Sequence, residues 1–329
     1  MNMDLKFYEC TNSQIKLMHI LPAYSAERGY ISANATKEFR GNGKIEIKFF
    51  DTILTNLIRD KMKSNITVIV YCKTFSGVLT SWMFDENHTT TVFGYSLNYL
   101  LHKQLILPTA ATKTDVSSYV KNTLAAMFNK GMFIWLNYNN SSAVGSTRNF
   151  KEITDPTPGD EWLQKILEYD DLGYDIEPDF TKGRFTLTLK KRKENSLLIA
   201  PGNLNFYDVV QDCDQSAAVR VGYYKDVTTG NWTKVTSATE TATTIYDNYV
   251  VLSSDNAASA QEEINALYTR ITVDGKTRDI AYGADYDVGD ILRVQIDGQV
   301  YTKTVKSIFL SYEGISNIEN PTFEDYIKE

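Results

Sequence analysis

Cysteine and histidine are both scarce in this chain of 329 residues. The cysteines are Cys10, Cys72 and Cys213, and the histidines are His19, His88 and His102. The three cysteines are odd in number, far apart and without a CxxC pair, so they predict neither a disulfide framework nor a zinc site. The histidines form no HxH or HxxxH pattern, and we expect no metal and no cofactor.

Long apolar runs and basic clusters are also missing. No apolar stretch approaches the ~18 residues of a membrane-spanning helix, and the N-terminus lacks the basic and apolar regions of a signal peptide. Acidic residues outnumber basic ones by 41 to 34, for a formal net charge of −7. We therefore expect folding in the cytoplasm, no stable membrane insertion and no tight grip on nucleic acid.

The residues that are present indicate a folded chain of several domains. Aromatic residues make up 12% of the sequence, which is unlike a disordered protein. The length suggests two to four domains at the usual ~100 to 200 residues each.

Residues 1–107 are predicted to form a small β-barrel. Lys44 to Phe49 alternate strictly between polar and apolar side chains, as in a half-buried strand. Further predicted strands are Ile66 to Tyr71, Phe75 to Phe84 and Thr89 to Phe93. Asp51 is predicted to cap a short helix with Ile53, Leu54, Leu57 and Ile58 on its apolar face, and Ser96 to open another.

Residues 108–200 are predicted to form a compact α+β domain. Asp115 caps a helix with the apolar face Val116, Tyr119, Val120, Leu124, Met127 and Phe128, and a strand from Met132 to Tyr138 precedes a polar, exposed loop. A second helix starts with Thr157 as its N-cap and Pro158 as its first residue. A strand pair then turns at Asp179 to Gly183.

Residues 201–329 return to β structure. The predicted strands are Ala217 to Tyr224, Ile245 to Leu252, Leu292 to Asp297 and Gln299 to Tyr312, the last two joined by an Asp-Gly hairpin. A Thr/Ser-rich hairpin is predicted at about 225–250 and a helix at about 255–270, with a polar tail after Tyr312. The predicted fold class is α+β and β-rich, with two tube-like β-barrel regions around the small α+β domain.

Three acidic or glycine-rich patterns invite a chemical interpretation. Glu168, Asp170 and Asp171 could supply the paired acids of a glycosidase, but the end of a helix before Gly173 is typical of a solvated surface. Gly41-Asn42-Gly43 precedes a strand rather than a helix and is predicted to be a turn, not a phosphate loop. Asp285, Asp287 and Asp290 resemble a calcium loop without its closing glutamate. No catalytic, cofactor-binding or metal-binding residue is assigned.

Three stretches resemble the tail-hub or baseplate-hub proteins of phages. The first runs from Gly43 through the helix ending at Asp60 to Val92-Phe93-Gly94-Tyr95-Ser96-Leu97. The second is Gly202-Asn203-Leu204 with the strand at Ala218 to Gly222, and the third is Ala284 to Ile291 with the strand from Val305 to Tyr312. The acidic and basic pair that often precedes the second stretch is replaced by KKRKENSLLIAPGN.

The resemblance implies a non-enzymatic structural protein of the virion tail tip or baseplate, assembled in the bacterial host. Such hubs are homotrimers that close the tail tube and adapt its sixfold symmetry to threefold. They contact a distal tail or tail-tube protein on one side and a fibre, spike or needle on the other, and DNA passes through their channel. The acidic balance of this chain suits a surface past which DNA slides.

Two alternatives stay open from the sequence. Abundant tyrosine, tryptophan and asparagine are compatible with a carbohydrate-binding or receptor-binding module, although tyrosine also packs in barrels and subunit interfaces. A cell-wall hydrolase is the other alternative, but neither a G-x-S-x-G elbow nor the local context of a cysteine peptidase is present.

Overall fold

The computed structural model of the protein describes residues 4–23, 29–139, 144–211, 219–236, 248–252, 254–266, 271–296, 298–313 and 316–325. The chain divides into two compact units. The first unit contains Met1–Asn205 and Gly275–Thr322, and the second contains Phe206–Asp274 and Phe323–Glu329. This division into two units does not test the three predicted regions, 1–107, 108–200 and 201–329, which stay a prediction.

The described strands and helices are as follows. The strands of the first half are β1 (Leu5–Cys10), β2 (Ile15–Leu21), β3 (Tyr30–Glu38), β4 (Lys44–Phe49), β5 (Thr67–Tyr71), β6 (Ser76–Phe84), β7 (Thr90–Ser96), β8 (Leu105–Ile106), β9 (Thr112–Asp115), β10 (Leu136–Asn139), β11 (Thr147–Phe150) and β12 (Thr157–Pro158). Those of the second half are β13 (Gly173–Asp179), β14 (Arg184–Lys190), β15 (Lys193–Ile199), β16 (Leu204–Gln211), β17 (Val219–Lys225), β18 (Trp232–Thr236), β19 (Asn248–Val251), β20 (Ile271–Thr277), β21 (Asp290–Ile296), β22 (Gln299–Glu313) and β23 (Ser316–Asp325). The helices are α1 (Thr52–Lys63), α2 (Val116–Phe128), α3 (Gly159–Tyr169) and α4 (Ala257–Ala266), with 3-10 turns at Leu97–Lys103 and Pro201–Asn203.

A large sheet organises the first unit. Its strands follow the order β2-β1-β5-β6-β7-β4-β3-β22, and β22 also pairs with β21, which pairs with β15. The chain is thus β-rich α+β, as predicted. The two predicted barrels are not confirmed, because the strand path does not close on itself among the described residues.

The alternation in β4 sets the core of the N-terminal strands. Ile45, Ile47 and Phe49 are buried while Lys44 and Glu46 are exposed, as the sequence pattern predicts. Phe7 of β1 meets Phe49 edge to face, with ring centroids 6.3 Å apart. Three strands before Gly41, namely β1, β2 and β3, were not predicted; β1 and β2 pair with each other, and β3 pairs with β4 and with the distant β22.

A second core lies between α2, α3 and the three-stranded sheet β10-β14-β13. The predicted helix, strand, helix, strand and strand are all present, with the hairpin turning at Asp179 to Gly183. Two strands that were not predicted, β11 and β12, lie between β10 and α3, and β11 starts in the stretch predicted to be an exposed loop. Tyr119 and Phe150 stack with ring centroids 3.9 Å apart inside this core. Phe128, predicted on the buried face of α2, is 44% exposed because it lies in the last turn, beyond the packed face.

Several predicted boundaries are wrong. The helix opened by Ser96 is a 3-10 turn, the strand from Met132 starts only at Leu136, and α3 begins at Gly159 with Pro158 as its N-cap. The polar tail, for which no strand was predicted, contains β23, next to β22 in the sheet. Ile53, predicted on the apolar face of α1, is 61% exposed.

The second unit contains a three-stranded sheet in the order β18-β17-β19. Its strands agree with the prediction where the chain is described. Parts of the predicted strands, hairpin and helix lie outside the described residues, at 217–218, 237–247 and 267–270. Ala260 and Ile264 of α4 are buried against Tyr224 and Leu252. Ala257, predicted on that face, is exposed.

The N-cap of α2 offers a direct test of local sequence interpretation. The Asp115 carboxylate accepts a hydrogen bond from the Ser118 amide at 2.9 Å, and its bonds to Ser118 hold the pKa of Asp115 below its ordinary value. Replacing such a cap by alanine costs about 0.5 to 2 kcal/mol. We expect Asp115→Ala to lower the free energy of unfolding by about 1 kcal/mol in urea denaturation. Asp115→Asn, which keeps an acceptor, should lose much less, and equal losses would contradict the capping role.

Candidate functional site

A group of polar contacts surrounds Phe39, which directly follows β3. Gly173 and Gly289 both face this residue. A Cβ atom on Gly173 would lie 2.3 Å from the Phe39 carbonyl oxygen, and one on Gly289 would lie 2.3 Å from the Phe39 ring. Both positions therefore require glycine, and Gly289 has in addition a left-handed φ of +93°.

Two arginines cover the Phe39 ring and share one carboxylate. The guanidinium carbons of Arg40 and Arg192 lie 6.0 and 4.6 Å from the ring centroid. Asp171 binds Arg40 Nη2 through Oδ1 at 2.8 Å, and Arg192 Nη2 through the same oxygen at 3.0 Å. Arg192 also contacts Thr304 of β22. We call the set Phe39, Arg40, Asp171, Arg192 and Gly289 the arginine junction.

A partly buried ion triplet includes Lys37 of β3, two residues before Phe39. Lys37 Nζ and Lys190 Nζ lie 3.2 and 2.7 Å from the same oxygen, Oδ2 of Asp175. Burial acts to raise the pKa of Asp175, but the charges and hydrogen bonds of the two lysines outweigh it and hold that pKa below its ordinary value. Lys37 also lies 5.9 Å from the centroid of the Tyr282 ring. Burial, followed by the nearby charge of Asp287, raises the pKa of Tyr282 strongly.

These contacts join four stretches that are distant in sequence. They are the end of β3, the connection from α3 to β13, the connection from β14 to β15, and the loop 281–290. Since each stretch contributes a charge or a glycine that another stretch requires, the contacts bind the α+β region to strands from both ends of the chain. These ion pairs and close contacts stabilise the packing of the four stretches.

The acidic residues predicted as glycosidase candidates are engaged separately. Asp171 is part of the arginine junction, Asp170 accepts the Ser146 amide at 2.7 Å, and Glu168 is exposed. The predicted solvated surface is wrong for Asp170, whose side chain is 9% exposed and lies beside Arg148, and is confirmed for Asp171, which is 49% exposed although two arginines bind it. The arginines arrive from residues about 20 and 130 positions away in the sequence, so no local pattern could reveal them.

The aspartates of the calcium-like stretch hold a turn together. Asp285 Oδ2 accepts the Ala281 amide at 2.8 Å, and Asp290 Oδ2 accepts the Asp287 amide at 3.0 Å and the Asn195 side chain at 2.8 Å. A cavity of about 490 Å³ lies between this loop and residues 190–195. Within the described ranges, no three His, Cys, Asp or Glu side chains come together as a metal site would require.

The histidines and cysteines of the described residues lie in structural surroundings. His19 Nε2 lies 2.9 Å from Asp51 Oδ2, and His102 Nδ1 lies 3.0 Å from Asp160 Oδ1. Cys10 is a buried free thiol. Burial and the charge of Glu9 raise the pKa of Cys10 to about 12, so this thiol is not a nucleophile near neutral pH. Cys72 is likewise buried and free. Cys213 lies outside the described residues, and His88 occupies a tight turn with φ +58°.

Two further findings bear on the environment of the chain. None of the described helices is both long and apolar enough to cross a membrane. A cavity of about 130 Å³ beside Lys37 and Asp175 reaches Cys72 and Asn98 and is lined mainly by polar side chains.

Comparison with known proteins separates sequence from fold. No protein-family model and no curated protein matches the sequence. The 43 kDa tail protein of prophage MuSo2 from Shewanella oneidensis has a similar structure, with a TM-score of 0.63 and 12% identity over 98% of both chains. The tail protein from Neisseria meningitidis MC58 gives 0.61 and 13% over 99% of this chain and 97% of that one.

A third similar structure is prophage tail protein gp18 from Listeria monocytogenes EGD-e, with a TM-score of 0.60 and 10% identity, covering 100% of this chain and 96% of that one. All three matches extend over nearly the whole of both chains, although few residues are identical. The resemblance found in the sequence is thus confirmed at the level of architecture. This chain has the fold of prophage tail proteins.

Proposed function

We propose that this chain is a structural subunit of the tail tip or baseplate of a phage or a phage-derived particle. The observation that carries the proposal is the end-to-end fold match to three tail proteins, which leaves almost no part of either chain unmatched. A fold by itself admits many functions, so the site has to agree with the proposal. The arginine junction and the ion triplet are consistent with a structural role, because their charged groups pair with one another and hold segments of the first unit together.

In this proposal the chain is a non-enzymatic homotrimer that closes the tail tube. Regions 1–107 and 201–329 supply two tube-like parts per chain, so that three chains continue the sixfold tube. A distal tail or tail-tube protein binds on one side and a fibre, spike or needle on the other, and DNA passes through the channel. Assembly takes place in the cytoplasm of the bacterial host.

Exposed apolar side chains on and near the edge strand β2 support assembly of the chain into an oligomer. Leu17 and Ile20 of β2 are 45% and 44% exposed, and Phe50 and Ile53 are 45% and 61% exposed. The contact between His19 and Asp51 places Phe50 and Ile53 near β2, although Leu17 and Ile20 lie on the face of β2 opposite to His19. Among the described residues, β2 lies at one end of the strand order of the large sheet. An edge strand with apolar neighbours usually needs a cover, which a second copy of the chain would supply.

The test is the oligomeric state of the purified chain. Light scattering after gel filtration should give the mass of three chains, and negative-stain images should show threefold rings. Ile20→Glu should shift the chain to monomers, because a buried charge without a partner opposes association. Val227→Glu alters a residue that is 73% exposed in the second unit and should leave trimers intact. A monomeric wild-type chain that also fails to bind co-expressed tail-tube or distal-tail protein would refute the proposal.

A further inference from the structure

The three-stranded sheet of the second unit packs one face on α4, and its other face is exposed at Tyr223 and beyond, although Val221 on that face is buried. Tyr224 of β17 and Leu252, directly after β19, pack against Ala260 and Ile264 of α4. Since neighbouring residues of a strand point to opposite faces, Tyr223 and Val251 point away from that helix. They are 41% and 72% exposed.

Two aromatic rings and a lysine are neighbours on the exposed face. Lys225 of β17 is directly opposite Trp232 of β18, and Tyr223 is directly opposite Val251 of β19. Trp232 is 60% exposed. It is a diagonal neighbour of Tyr223, at the ~7 to 8 Å that separates such positions in antiparallel strands. We call Tyr223, Lys225, Trp232 and Val251 the aromatic face.

The turn before Trp232 is held in place by its own hydrogen bonds. Asp226 Oδ1 accepts the amides of Thr228 and Thr229 at 2.8 and 2.9 Å, and the Asp226 carbonyl accepts the Gly230 amide at 2.8 Å. Gly230 has φ +71°, which the tight turn requires. The backbone that carries Trp232 is thus ordered before any ligand arrives, which lowers the entropic cost of binding.

The charge of the aromatic face is opposite to that of its surroundings. Residues 206–274 contain ten acidic residues and only four basic ones. By strand register, two of these four, Lys225 and Lys234, lie on the same face as Tyr223 and Trp232. The lysines of an acidic unit are therefore gathered where its exposed rings are, so the face is complementary to an anionic group beside a flat apolar surface.

We propose that the aromatic face binds an anionic glycan. The faces of the sugar rings stack on Trp232 and Tyr223, and a phosphate or carboxylate of the glycan pairs with Lys225. A protein partner fits less well, because lysine is depleted in the cores of protein interfaces. A nucleic acid fits less well, because its closely spaced phosphates would extend over the acidic remainder of the unit. Glycan binding is separate from subunit assembly and does not depend on it.

Affinity electrophoresis of the full chain tests the proposal with defined polymers. Native gels would contain phosphomannan, polygalacturonate, neutral mannan or no polymer. At least one anionic polymer should retard the wild-type chain more than neutral mannan does. Trp232→Ala should weaken that retardation about fivefold or more, the effect expected from the loss of one stacking ring. Lys225→Glu should weaken it to a similar extent.

Phe309→Ala is the matched control, since Phe309 is an aromatic residue of the first unit with 39% exposure. It should bind as the wild type does. Circular dichroism of every variant should match the wild type, and Lys225→Glu, a substitution of an exposed side chain, tests the site even if Trp232→Ala fails to fold. Retardation by neither anionic polymer, equal retardation by mannan, or equal loss in Phe309→Ala would each overturn the proposal. So would a mobility shift with oligothymidylate in the absence of any shift with the glycans.

Discussion

Replacing Asp175 by alanine is expected to lower the free energy of unfolding by about 2 kcal/mol, less than the ~3 to 5 kcal/mol of a fully buried ion pair, because the two lysines left without compensation remain partly exposed to water. Lys37 and Lys190 both bind the lost oxygen, and the Asp175 side chain is only 15% exposed. Two ammonium groups would then face each other across the vacated position. Urea denaturation of the purified chain measures the loss.

Glu46→Ala is the matched control for Asp175→Ala. Glu46 also lies in a strand of the first unit, carries the same charge and is exposed. Surface substitutions of this kind usually change stability by less than about 0.5 kcal/mol. Equal losses in the two variants would mean that general charge, and not the ion triplet, determines the effect.

The same triplet predicts a dependence of stability on pH. The pKa of Asp175 is lower in the folded chain than its ordinary value, so the folded state favours the ionised carboxylate. Its contribution is fully present above the unfolded pKa of about 4 and is lost as pH falls through the folded pKa. Asp175→Asn should flatten the fall in melting temperature below about pH 4. An unchanged acid profile would contradict this assignment.

Gly289→Ala should have an effect of similar size at the arginine junction. The new Cβ would lie 2.3 Å from the Phe39 ring, and the backbone has φ +93°. Overpacking costs about 1 to 3 kcal/mol, and a left-handed non-glycine residue costs about 1 to 3 kcal/mol. We expect a loss of about 3 kcal/mol in urea denaturation, since local movement of Phe39 relieves part of the clash.

Gly283→Ala separates strain from crowding within the same loop. Gly283 has φ +75°, and a Cβ there would have no neighbour within 4 Å. This variant should show only the conformational cost, about 1 kcal/mol. If Gly289→Ala costs no more than Gly283→Ala, Phe39 does not constrain the loop and the junction is looser than its distances indicate.

Sequence patterns predicted elements well where the structure depends on nearby residues. The alternation of Lys44 to Phe49 identified a strand and its buried face, and Asp115 and Asp51 were correctly predicted as helix caps. The hairpin around Gly298 was predicted from two residues, and Ile296 is indeed paired with Gln299. These predictions succeed because the period of burial and the hydrogen bonds of a cap or a tight turn extend over only a few residues.

The sequence did not predict one strand near the end of the chain, nor the side chains that bind Asp171. The tail after Tyr312 looks polar, yet β23 lies beside β22 in the large sheet. Asp171 is exposed as expected, but its binding by Arg40 and Arg192 was not predicted. These arginines lie about 130 and 20 residues away in the sequence and have no local signal, whereas β22 directly precedes β23 and the polar composition of the tail simply did not indicate a strand.

The sequence by itself determined the class of this protein: a β-rich chain without metal-ligand spacing or cysteine pairs, with three stretches arranged as in phage tail proteins. Only the tertiary structure decided which glycines are irreplaceable, which charges are paired and which aromatic residues stay exposed. The physical reason is that composition and period describe each residue with its neighbours, whereas Phe39 meets Gly289, and Asp175 meets Lys37, only after the sheet has joined segments from opposite ends of the first unit.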